Sequence, residues 1–154
     1  ENIQVNQVLT VPRSTPTPTP EIITNVTATP TPGLSSYPAP TMLFPPDDTV
    51  FTGDDVTIAL QWSSVGILDE REYYEVELMM PTAEGRTTYR DYVRSTVWRI
   101  PEELFPPETV DDRDFAWRVS VVRQITGDED PEYRIISRSS GRRSFVWETE
   151  AEAE

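Results

Sequence analysis

Hydrophobic and polar positions alternate along most of this chain with the period of two that a strand with one buried face requires. Val56, Ile58, Leu60 and Trp62 alternate with Thr57, Ala59 and Gln61. Tyr74, Val76, Leu78 and Met80 alternate with Tyr73, Glu75, Glu77 and Met79. Thr96, Trp98 and Ile100 enclose Val97 and Arg99, and Phe115, Trp117, Val119 and Val121 enclose Ala116, Arg118 and Ser120. Phe145 and Trp147 flank Val146 near the end. Met42–Phe44 and the polar, β-prone Thr87–Val93 complete the set. Turn signals separate the runs at Pro45-Pro46-Asp47-Asp48, Gly53-Asp54-Asp55, Gly66, Pro81, Pro106-Pro107, Gly127-Asp128 and Gly141. The pattern predicts an all-β, antiparallel sandwich of about seven strands over residues 40–148, with Trp62, Val76, Leu78, Trp98, Trp117 and Val119 in its core. Trp147 shares the apolar parity with these tryptophans. Pro101–Phe105 is the only helical hint, one turn long.

A separate alternation opens the chain. In residues 1–12, Ile3, Val5, Leu9 and Val11 share one parity, with Gln7 as the exception, while Asn2, Gln4, Asn6 and Thr10 share the other. This predicts an isolated N-terminal strand. A lone strand is unstable in water, so another sheet must complete it. Residues 13–39 are a Thr/Pro-rich linker; eight of the fifteen prolines lie in residues 1–40, and Arg13 and Glu21 are the only charges between Asn2 and Pro40. Repeated X-Pro favours an extended chain that would span roughly 85 Å. Thr/Pro tracts are frequent O-glycan carriers. Thr15, Thr17, Thr19, Thr27, Thr29 and Thr31 are the expected acceptors, and Asn25-Val26-Thr27 is an N-glycosylation sequon. Residues 149–154 form an acidic tail, with Glu148, Glu150, Glu152 and Glu154 the four glutamates that close the chain.

Composition narrows the chemistry. The chain has no His, no Cys and no Lys, so all thirteen basic residues are Arg. Disulfides, thiol nucleophiles, thiolate or imidazole metal sites and the ordinary base of a Ser nucleophile are therefore absent. No cofactor and no metal is expected, and the protein reads as a non-enzyme. The net charge of −14 repels phosphate backbones and anionic lipid, so nucleic acid is not an expected partner. No apolar run reaches the roughly 18 residues of a membrane helix, and no membrane insertion is expected. The chain starts at Glu1 rather than Met, which reads as a processed chain or a piece of a longer one. With the Thr/Pro tract, this points to the extracellular or cell-surface side.

Several groups invite a chemical reading. Glu75 and Glu77 lie two apart on one strand face, as an acid–base pair could; cross-strand pairing with Arg118 or Arg90 is the plainer expectation. Asp128-Glu129-Asp130 offers oxygens to calcium without a full loop pattern, and a solvated turn is expected there. Trp62, Trp98, Trp117 and Trp147 could stack on sugars but share the core parity. Tyr73 and Tyr89 are the better surface aromatics.

The segment from Ala39 to Trp147 resembles a fibronectin type III or immunoglobulin-like module. Pro40 precedes the first strand, Trp62 ends the second, Tyr74-x-Val76 lies in the third, and Leu104 precedes Phe115-x-Trp117-x-Val119. The family usually has Tyr where Phe115 stands, so its corner hydrogen bond is not expected. There is also no Arg-Gly-Asp. Residues 2–12 resemble the last strand of a LysM peptidoglycan-binding module, matching at Gln7, Leu9, Val11 and Pro12, with Asn6 in place of Gly. That match covers eleven residues, so glycan binding does not carry over to them. Two functions follow as expectations. The first is a structural subunit of a surface assembly or filament that donates its N-terminal strand to a copy of itself. The alternative is the distal binding module of a longer wall protein whose partner is a cell-wall glycan.

Overall fold

The computed structural model describes residues 36–150, all within one compact unit, Pro32–Glu154. The N-terminal strand residues Ile3, Val5, Leu9 and Val11, the glycan acceptors from Thr15 to Thr31 with Asn25, and the end of the acidic tail lie outside the described residues.

Nine strands form two sheets: β1 (Met42–Phe44), β2 (Thr49–Thr52), β3 (Ala59–Trp62), β4 (Glu72–Thr82), β5 (Gly85–Val93), β6 (Val97–Arg99), β7 (Asp114–Gln124), β8 (Tyr133–Ile135) and β9 (Arg143–Glu148). A 3-10 turn at Glu102–Leu104 occupies the expected helical spot. The small sheet has the order β1-β3-β6. The large one runs β2-β9-β7-β4-β5, with β8 also paired to β7.

The alternation places one face of each sheet against the other. Met42, Leu60, Trp62 and Trp98 of the small sheet meet Tyr74, Val76, Leu78, Phe115, Trp117, Val119, Phe145 and Trp147 of the large one, all buried. Trp62 bridges the layers, packing edge-on against Tyr74 at 5.5 Å and tilted against Trp117 at 6.4 Å. Phe115 is fully buried and stacks on Phe145 at 5.1 Å. A tyrosine hydroxyl there would need a buried partner, which accounts for Phe at that position.

Three expectations are corrected. The strands number nine rather than about seven, because β2 is a four-residue segment between two turn signals and β8 is only three residues long. The sandwich is not purely antiparallel: β2 runs parallel to β9, with Val50 opposite Val146. The chain makes this switch at Pro45–Asp48, where it leaves the small sheet and joins the large one. Asp47 Oδ1 accepts from the Ser144 N–H at 2.8 Å, and Asp48 takes the left-handed conformation that Asp tolerates. Finally, the body begins before residue 40. The Ser36 N–H donates to Ile136 O at 2.8 Å and Tyr37 bridges Ser137 in parallel. The Tyr37 hydroxyl donates to Glu72 Oε1 at 3.1 Å. Glu72 is fully buried, also accepts the Asp69 N–H, and lies 3.6 Å from Arg123.

Between β8 and β9 the partner of β7 is interrupted. Val122 faces Ile135 and Trp117 faces Arg143, so five steps along β7 correspond to eight on the other side. The three extra residues are odd in number, and the outward parity changes from Tyr133 and Ile135 to Ser144 and Val146. Across the gap, the Ser140 and Ser137 hydroxyls accept the N–H groups of Val119 and Val121 at 2.9 and 2.7 Å. The Val119 and Val121 amides are thereby paired, as burial demands.

Candidate functional site

The β4–β5 hairpin closes through Ala83-Glu84, with Thr82 opposite Gly85. Gly85 has φ +133, a conformation L side chains rarely adopt. Both strands are long, and β4 pairs on its other side with β7 over eight residues. β5 ends the sheet. Among the described residues, nothing pairs with its outer edge, and Gly85–Arg90 are exposed. A nine-residue open edge is a template for another strand.

The inner parity of β5 carries Thr87, Tyr89, Asp91 and Val93. Tyr89 stacks on Trp98 of the small sheet at 6.0 Å and remains 37% exposed. Asp91 reaches across the open side of the sandwich: its Oδ2 accepts the Trp98 Nε1–H at 2.8 Å, and its Oδ1 accepts the Tyr92 N–H at 2.8 Å. Val97 on the neighbouring edge β6 is 40% exposed. The gap between β5 and β6 therefore presents an aromatic ring and one carboxylate, while Val97 lies on the outer parity of β6.

The outer parity belongs to arginine, glutamate and tyrosine. Glu77 faces Arg90 on β5 and Arg118 on β7. Arg90 Nε donates to its Oε1 at 3.0 Å and Arg118 Nε to its Oε2. Burial pushes the Glu77 carboxyl up, but its bonds to Arg118 and Arg90 outweigh this and hold it below the usual carboxylate range. Glu75 is pushed up by burial and by the Glu77 charge, against the Tyr92 hydroxyl that bonds it. Tyr92 in turn is pushed up to about 12 by burial and by Glu75. Its ring stacks on Tyr133 at 3.8 Å, and Tyr73 meets Tyr133 edge-on at 6.1 Å under the Arg94 guanidinium. The two glutamates are thus displaced in opposite directions, yet they lie under their own neighbours. Both Glu77 oxygens are occupied, and Glu75 is covered by Tyr92.

The remaining singled-out residues have clear places. Trp62, Val76, Leu78, Trp98, Trp117, Val119 and Trp147 are buried. Asp128 receives the Gln124 amide at 3.0 Å, and no three carboxylates converge into a cation cage among the described residues. No described helix is long and apolar enough to cross a membrane. Sequence reasoning missed Asp91, Tyr92 and Tyr133. The available signal was Asp91 itself, a charge on the parity of Tyr89 and Val93.

No family model matches the chain, and no curated protein is significantly similar to it.

Proposed function

We propose that this chain is a non-catalytic structural protein of the cell surface, a subunit of an assembly or filament in which the N-terminal strand of one copy adds to the sandwich of the next. The observation that carries this reading is the open β5 edge, nine residues long and bearing the exposed Tyr89. Strand addition supplies main-chain hydrogen bonds to such an edge, while alternate side chains cover apolar ground beside it. Ile3, Val5, Leu9 and Val11 have the alternation for that role, and each would gain about 1.5–3 kcal/mol on full burial, before ordering costs. Contacts of one surface with a different surface of the next copy propagate into an open polymer unless rotation closes a ring.

The sheet order supports an immunoglobulin or fibronectin type III-like module. A three-stranded core of the large sheet, β9-β7-β4, is extended by β5 and faces the smaller sheet. The lack of His, Cys and Lys, and the occupied oxygens of Glu77, support a non-catalytic role. The Thr/Pro tract supports an extracellular location with glycans on its threonines. Native material should then exceed the bare mass of 17.6 kDa.

Deleting residues 1–12 tests the assembly. The shortened chain should keep its β-rich circular dichroism spectrum and sediment as a monomer, while the full chain polymerises. Undiminished polymerisation of the shortened chain would overturn the proposal.

A further inference from the structure

We infer that Gln7 of one copy pairs with Asp91 of the next, and that this pair sets the register in which the N-terminal strand lies along β5. The inference rests on the strand-donation reading and assigns its acceptor and alignment.

Two irregularities suggest it. On the donor, Gln7 is the one polar residue between Ile3 and Val11 on the parity of Ile3, Val5, Leu9 and Val11. On the acceptor, Asp91 is the one charge on the inner parity of β5, between Tyr89 and Val93. Aligning the two exceptions aligns everything else. In antiparallel pairing Leu9 faces Tyr89, Val5 faces Val93 and Val11 faces Thr87. On the other parity Thr10 faces Thr88, Val8 faces Arg90 and Asn6 faces Tyr92, with no like charges opposed. Pro12 falls opposite Arg86 at the hairpin end of β5, where a residue without an N–H ends the ladder naturally. Antiparallel pairing is the more stable per residue, and it places Thr beside Thr.

Asp91 has capacity for this contact. Each of its oxygens accepts one bond within the subunit, leaving about two lone-pair sites. The Gln7 amide brings two N–H donors. A shift of two residues would set Gln7 against Tyr89 or Val93 and a hydrophobic side chain against the Asp91 carboxylate. A shift of one would turn the whole apolar face outward. One buried polar pair within an apolar seam is a device that fixes register.

Sedimentation of the full-length chain and its variants tests the pairing at neutral pH. Gln7→Asp sets two carboxylates against each other and should weaken assembly by about tenfold or more. Adding Asp91→Asn to that variant restores an amide–carboxylate pair with the roles exchanged, keeps an acceptor for Trp98, and should recover assembly. If Gln7→Asp assembles as well as the parent, or if Asp91→Asn fails to rescue it while deletion of residues 1–12 still abolishes assembly, the register is wrong and strand donation stands. If the deletion leaves assembly unchanged, donation and register fall together.

Discussion

The Asp91 carboxylate on the last strand of the large sheet accepts the indole N–H of Trp98 on the facing sheet, 2.8 Å away. An indole N–H that is taken out of water needs an acceptor, and Trp98 is 6% exposed. The contact, with the stacking of Tyr89 on the same indole, ties two edge strands together across the open side of the sandwich. Asp91→Leu should therefore lower stability by about 1–3 kcal/mol in urea unfolding, while Asp91→Asn, which keeps an acceptor, should cost less.

Trp117 is fully buried at the centre of β7, opposite Leu78 and packed against Trp62. Its replacement by alanine leaves a void that neighbours fixed in two sheets cannot fill. Trp117→Ala should cost about 3–5 kcal/mol, read from the denaturation midpoint. An unchanged midpoint would remove Trp117 from the core.

The two buried glutamates respond to pH with opposite signs. Glu77 is held low by its arginines, so its stabilisation is present above its unfolded pKa and is lost as pH falls through the folded value. Glu77→Gln should be less stable than the parent at pH 7 by on the order of 1 kcal/mol, since both guanidinium groups stay half in water, and the gap should narrow in acid. Glu75 is held high by burial, so its protonated form favours the fold below its unfolded pKa, and that contribution is lost as pH rises through the folded value. Glu75→Gln should be more stable than the parent at pH 7 and converge with it near pH of about 4. Thermal unfolding across this range measures both.

Tyr37 carries the chain onto the sandwich through its bond to Glu72, a carboxylate with no exposure of its own. Tyr37→Phe keeps the ring and removes one donor from a buried charge. The expected loss is about 1–3 kcal/mol in chemical denaturation, and faster amide exchange at Ser36 should accompany it.

The long strands were legible in the sequence because each of β3, β4, β7 and β9 has one apolar parity, set by Trp62, Leu78, Trp117 and Phe145 among others. β8 was not, because three residues are too few to show a period and the outward parity changes just beyond Ile135. The parallel partner of β2 was invisible for another reason: Thr49–Thr52 is paired by a strand almost a hundred residues away, and local pattern holds no record of it. The candidate site divides along the same line. The pairing of Glu77 with Arg90 and Arg118 follows from strand parity. The openness of β5 is a property of sheet order, which no local run of residues encodes. Asp91 and Tyr133 acquire their roles only once Trp98 and Tyr92 are brought beside them.

Ser137 and Ser140 close the β7 amides with hydroxyls where a continuous strand would have used peptide carbonyls. The rib formed by β8 and β9 is consequently spliced, and each half keeps its own alignment with β7. A change that disturbs Ser140 costs the Val119 amide its partner but need not travel into Phe145 and Trp147, which are aligned by their own pairing with β7. Sequence drift can accumulate at the exposed positions of this joint, Arg138, Ser139 and Arg142, while Ser137 and Ser140 are held by the β7 amides and the aromatic stack beyond stays in frame.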